Sequence, residues 1–243
     1  MNLLDGAIRW LFAPEQWEGK DGLPALLGQH LLFTLLSVII AGIIAIPVGW
    51  AIGHTGKGRE IAVASAGIAR AVPSFGLLIL LVLLFGVTHK PAAALVAFVV
   101  LAIPSLLAGA YTGFEAIDRK TIDAARSMGM TEWQILLKVE IPLGLSLLVG
   151  GIRAATLQVV ATVTIAAYVN LGGLGLPIIT GLNLRRFDMV LGGALMVATL
   201  ALLLDLILAI AQKAAVPHGL GSRRTTSRNQ DVDYLQVHEK ELT

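Results

Sequence analysis

Five apolar runs set the pattern of this chain, at residues 31–53, 61–87, 92–114, 143–168 and 189–212. Each reaches the roughly 20 residues that a helix needs to cross a bilayer. The first and third hold no formal charge, the second holds Arg70, the fourth Arg153 and the fifth Asp205. Runs of this length predict an all-α integral membrane protein with five transmembrane helices, because only helices and closed barrels satisfy the backbone in lipid. Residues 1–13 place Leu4, Ile8 and Leu11 on one helical face, as in a helix lying in the membrane interface, with Trp10 and Trp17 suited to an aromatic belt. Residues 14–29 read as loop. The resulting division is an interfacial, extracytoplasmic segment 1–29, a membrane domain 30–213 and a polar cytoplasmic tail 214–243.

The runs are punctuated. Pro47, Pro73 and Pro104 free backbone carbonyls inside them, which membranes tolerate where neighbours or a wet cavity satisfy those groups. Gly49 with Gly53, and Gly109 with Gly113, offer small-residue contacts to neighbouring helices.

Composition agrees with the pattern. Of 243 residues 56% are hydrophobic and 14% charged, with mean hydropathy +0.80. The net charge of +2 gives no reason to expect nucleic acid. There is no Cys, so thiol chemistry is excluded. The five His are dispersed without metal-ligand spacing. Gly56-Lys57 lacks the other residues of a phosphate loop, and LGGLGL lacks the third Gly of a dinucleotide loop. No catalytic set is visible. Nine Lys and Arg (57, 59, 119, 120, 126, 138, 213, 223 and 224) border the membrane on one side, against five (9, 20, 90, 185 and 186) on the other. The positive-inside rule therefore puts residues 115–141 and the C-terminus in the cytoplasm and the N-terminus outside.

Charges at membrane depth cost about 2.5–3.5 kcal/mol on insertion scales and need partners. Arg153 lies roughly 16 Å along its helix from Pro142, and Asp205 roughly 12 Å from Lys213 on the same side. They are predicted to pair between the fourth and fifth spans, either to neutralise each other or to meet substrate. Arg70 either snorkels to the surface or serves a gate beside Pro73 and Ser74.

Between the third and fourth runs lies the polar stretch 118–142. Asp118 or Thr121 is placed to cap a short helix, and Gly129 to stop it. Thr131 and Gln134 have capping-box spacing for a second helix. The prediction is helix, sharp bend, helix at the membrane surface. This order resembles the coupling loop of permease subunits of ATP-binding-cassette importers, whose signature is Glu-Ala-Ala, three residues, Gly, nine residues, Ile, any residue, Leu, Pro. Here it reads Asp123-Ala124-Ala125, Gly129, Val139, Glu140, Ile141, Pro142, with both spacings kept. The resemblance implies type I importer permease architecture and a coupling helix docked on a separate ATPase dimer. ATP and Mg would be held there, with no cofactor in this chain.

Three further stretches, RAVPSFGLLILLVLLFG from residue 70, KVEIPLGLSLLVGGIRAAT from 138 and AAYVNLGGLGLPIITGL from 166, look together like the osmoprotectant branch of these permeases, which handles glycine betaine, choline and carnitine. Asn170-Leu171 departs from the small residues frequent in that branch. Methionine and other amino-acid importers share the Gly-Gly-Leu-Gly region and the turn at 71–73, so an amino-acid permease is the alternative reading. The resemblance implies a bacterial inner-membrane subunit working with a second permease copy or paralogue and an extracytoplasmic binding protein. Arg70, Pro73, Ser74, Gly172, Gly173 and Gly175 are candidate pathway or gate residues, and Arg185 and Arg186 candidate docking charges for the binding protein or contacts to lipid headgroups. Aromatic rings for an onium cage are sparse and scattered in the spans: Phe33, Trp50, Phe75, Phe85, Phe98, Tyr111, Phe114 and Tyr168. An ATP-independent secondary carrier is the rival of another class; it predicts inverted repeats, and none is visible in the sequence.

Overall fold

The computed structural model describes residues 2–215, leaving out the side chains at 61, 65, 66 and 68–70. Most of the tail predicted at 214–243 lies outside the described residues. The order is α1 (Leu3–Phe12), α2 (Leu23–Thr55), α3 (Arg59–Ala71), α4 (Ser74–Phe85), α5 (Lys90–Glu115), α6 (Arg119–Ser127), α7 (Glu132–Ile135), α8 (Ile141–Ile165), α9 (Leu176–Asn183) and α10 (Phe187–Ala214). No strand occurs among the described residues.

Four of the predicted spans are long apolar helices: α2, α5, the continuous helical run ending in α8, and α10. The run at 61–87 is instead two helices, α3 and α4, meeting at Val72 and Pro73. Pro73 has no N–H to donate and forces its predecessor out of the helical region, so one straight crossing is unavailable. α2 begins at Leu23, which puts the predicted boundary after residue 29 inside a helix. Gln29 and His30 end the apolar run in sequence but not the helix. Their side chains accept hydrogen bonds from the backbone N–H groups of Gly173 (3.1 Å) and Leu174 (3.3 Å). The stretch between the fourth and fifth runs also carries a helix, α9, absent from the sequence reading.

The core centres on α5. In its most apolar stretch 61% of residues are buried, against 6% in that of α10. α5 packs between α2 and α8 through glycine contacts that leave no room for a side chain. A Cβ on Gly49 would lie 2.5 Å from that of Ala110, and one on Gly109 would lie 2.7 Å from the Cα of Gly151. Backbones this close exchange dispersion and weak C–H···O contacts, the usual adhesive between helices in lipid. Trp50 and Phe114 stack with centroids 6.3 Å apart, and Phe33 meets Phe98 edge-on at 6.2 Å.

α1 packs on the start of α10. Trp10, expected in an interfacial belt, is 5% exposed and seated on Gly192, whose missing side chain makes room for the indole. Trp17 stays partly open and donates its indole N–H to the carbonyl of Leu11 at 2.8 Å.

Candidate functional site: the elbow and the membrane breaks

α6 starts where the Asp118 carboxylate accepts the N–H of Lys120 at 3.0 Å. It ends at Gly129, which takes φ +81°, a left-handed conformation that glycine adopts without strain. Thr131 and Gln134 then form the reciprocal capping box of α7. Ile122, Ala125 and Ile135 bury together against Ile117, Met130 and Val139, a small core that holds the two arms of the bend. Asp123, Ala124 and Pro142 remain exposed, and Ile141 is half-buried. Met128, Trp133 and Leu137 project from the same elbow, 58–76% exposed.

The second arm is not a separate helix. α7 passes through one turn of π-helix, Leu136–Glu140, straight into α8, so elbow and membrane span share one helical axis. Such turns absorb an extra residue within a helix and recur at functional sites.

A polar cluster ties this arm to the end of α2. Glu140, 6% exposed, meets Nδ1 of His54 at 2.5 Å, while Nε2 of His54 lies 3.6 Å from Glu132. Arg126 donates to both oxygens of Glu132 at 2.9 and 3.1 Å, and Arg59 meets Glu115 at 3.0 Å. The hydrogen bond and charge of Glu132 hold the Arg126 guanidinium above its ordinary pKa. A cavity of about 360 Å³ opens among His54, Arg59, Glu115, Arg119, Arg126 and Glu140. Sequence reasoning missed His54 and Glu140. The first was one of five scattered histidines, the second the unrestricted position of the signature, and they stand 86 residues apart.

Within the span region, the structure brings Arg153 and Asp205 together. The guanidinium donates to the carboxylate at 2.8, 2.9 and 3.0 Å, and to Oε1 of Gln212 at 2.7 Å. Gln212 in turn donates to the carbonyl of Ser146 at 3.0 Å. Each nitrogen of the Arg153 guanidinium finds an acceptor in this α8–α10 bridge, which suits a charge within an apolar span.

The candidate gate residues separate into two places. Pro73 and Ser74 sit at the α3–α4 break; Arg70 belongs to α3, with its side chain outside the described residues. Gly172 and Gly173 take φ +90° and +74° in the loop clamped by Gln29 and His30, and Gly175 occupies a spot where any Cβ would collide with the carbonyl of Thr164. Of the candidate docking charges, Arg185 is exposed at φ +56°, whereas Arg186 is engaged by Asp188 at 2.8 Å.

Residues 27–218 match the family model described as "Binding-protein-dependent transport system inner membrane component". The chain is 32% identical over 200 residues to the glycine betaine/carnitine/choline transport system permease protein OpuCB of Bacillus subtilis (strain 168), covering 82% of this chain and 91% of that one. It is 34% identical to the carnitine transport permease protein OpuCB of Listeria monocytogenes, covering 81% and 89%. It is 33% identical to the osmoprotectant import permease protein OsmW of Salmonella typhimurium, covering 82% and 94%. Among solved structures it is similar to a chain of the MetNI methionine ABC transporter in inward-facing conformations, with TM-score 0.71, 22% identity and coverage of 84% and 99%, a likeness of fold. With most of its length matched, the chain belongs to the family of binding-protein-dependent transport system inner membrane components.

Proposed function

We propose that this chain is the permease subunit of an ATP-driven importer for osmoprotectant quaternary amines, the class that includes glycine betaine, choline and carnitine. The observation that carries this reading is the match, across about four-fifths of the chain, to permeases named for those solutes. The chain itself translocates and does not hydrolyse ATP. Its elbow at 118–142 rests in a groove of a cytoplasmic ATPase dimer, and the exposed Met128, Trp133 and Leu137 supply apolar contact there.

Because the elbow continues into α8 and is latched to α2 by Glu140 and His54, a displacement of the ATPase moves two spans at once. A second copy or a paralogue completes the pathway, and an extracytoplasmic protein delivers the solute. The chain lies in the bacterial cell membrane with its N-terminus outside and its C-terminus in the cytoplasm, as the charge asymmetry indicates. Spans tilted by ATPase closure open the pathway outward, and hydrolysis resets it, which is alternating access.

The test is uptake by proteoliposomes holding the permease, its ATPase and its binding protein. Glycine betaine should accumulate only with internal ATP and stop with vanadate. Accumulation of methionine in its place would move the chain to the amino-acid branch. Accumulation after ATP is exhausted would identify a carrier and end the proposal.

A further inference from the structure

The break between α3 and α4 leaves residues exposed in the middle of the apolar run 61–87. Val72 is 37% exposed, and Ala71 and Pro73 are open as well. The last carbonyls of α3 and the first N–H groups of α4 have no intrahelical partner, and no side chain caps α4. Hydrocarbon cannot face such groups, so this side of the molecule looks onto water or protein.

A second helix points the same way. Gln158 stands exposed on α8, roughly 26 Å from Ile141 along the axis. An uncharged amide there is as ill-suited to lipid as the broken backbone. The two features meet. A cavity of about 410 Å³ is lined by Val72, Pro73, Ser74, Pro104, Ser105 and Gln158, among others, a volume in the range of small-molecule sites. Pro104, at mid-α5, withholds the donor that the carbonyl one turn earlier would otherwise receive. Among the described residues, none that lines the cavity carries a formal charge. Beside Ser74, Phe75 meets Tyr168 with centroids 5.3 Å apart and rings inclined at 59°.

We propose that this cavity is the mid-membrane station of the transport path and that it takes a small zwitterion bearing a methylated ammonium and a carboxylate. The location rests on the helix break and Gln158; the ligand class rests on the osmoprotectant reading above. The hydroxyls of Ser74 and Ser105 and the amide of Gln158 are donors for the carboxylate. The valine, leucine and proline surfaces of the lining suit the methylated cation, which is weakly hydrated and sheds its water readily. Held by neutral groups of this lining, the ligand binds weakly and can leave, as a passage requires. Choline, lacking the carboxylate, leaves the donors idle and should occupy the station less than glycine betaine.

The native chain has no Cys, so single cysteines report without background. Ala71→Cys, at an exposed lining position with no role in holding the ligand, and the α10 control Leu202→Cys, whose leucine is 71% exposed, are each assembled with the ATPase and binding protein in nanodiscs. ATP hydrolysis stimulated by the loaded binding protein certifies assembly. The probe is 2-(trimethylammonium)ethyl methanethiosulfonate, a water-soluble quaternary ammonium thiol reagent. Position 71 should label roughly ten-fold faster than 202, since the control faces hydrocarbon. Glycine betaine during turnover should slow that labelling, and choline should slow it less. Labelling at 71 as slow as at 202 overturns the station. So does fast labelling that no solute affects. Protection by methionine and not by glycine betaine keeps the location but overturns both the methylated-ammonium assignment and the osmoprotectant reading.

Discussion

Arg153 and Asp205 illustrate what a charge costs once its partner is gone. The two side chains are about a third exposed, so the cost of removing one is that of a lone charge left facing lipid, about 2.5–3.5 kcal/mol, while apolar replacement of both ions of a pair is often neutral. Asp205→Leu alone is therefore expected to lower the yield of folded permease in detergent, measured by size-exclusion chromatography, and Arg153→Met with Asp205→Leu to recover most of it. At the elbow, Gly129→Val forces a β-branched residue to φ +81°, at about 1–3 kcal/mol of strain. Membrane insertion should persist while uptake and ATPase association fall, read by co-purification. Glu140→Ala should reduce uptake per ATP hydrolysed, with Glu140→Gln intermediate because it keeps a hydrogen-bonding group near His54. The capping residues of this region were legible in sequence because Asp118, Gly129, Thr131 and Gln134 act within one helical turn. His54 with Glu140, and Gln29 with Gly173, were not, because packing between distant segments creates them. The Arg153–Asp205 contact lies between these extremes: hydrocarbon penalises isolated charge so strongly that depth along two helices sufficed to suggest it.

Among elements, the two interruptions have different characters. The α3–α4 break was marked by Pro73, but its extent was not legible, since run length and hydropathy are the same for one helix as for two halves. The π-turn at Leu136–Glu140 left no mark of its own, because no proline or glycine is needed to make it. It absorbs one extra residue while keeping the elbow in phase with α8. Deleting Lys138 would therefore return the run to ordinary α-helix with that phase nearly kept, whereas deleting Leu143 from α8 would rotate everything before it by about 100°, given 3.6 residues per turn. Both variants should insert normally; the Lys138 deletion should retain uptake, and the Leu143 deletion should lose it while ATPase activity becomes indifferent to the binding protein. Gly109→Leu addresses the other joint, α5 on α8. A Cβ at that position would stand only 2.7 Å from Gly151, so the helices must separate, and the variant should aggregate in detergent.

For the molecule as a whole, α5 is sheathed by α2 and α8, and α10 is left at the periphery, nearly bare. The four long helices and one divided pair of the described residues put the two ends on opposite sides if the pair crosses once. Green fluorescent protein fused after Thr243 should then glow, and alkaline phosphatase fused there should stay inactive; the reverse pattern would invert the orientation proposed above. The peripheral position of α10 also explains why its strong polar tie to the bundle runs through Asp205 and Gln212 to α8.

Trp10, lodged on Gly192, gives the N-terminal helix a grip on α10 at the end remote from the elbow. Of the four tryptophans in the chain, it is enclosed while Trp17 and Trp133 stand in the open. An indole in so dry a seat emits toward the blue, and one lifted into solvent emits toward the red. The fold thus carries a built-in optical gauge at its far edge, able to tell whether a stroke begun in the cytoplasm arrives there.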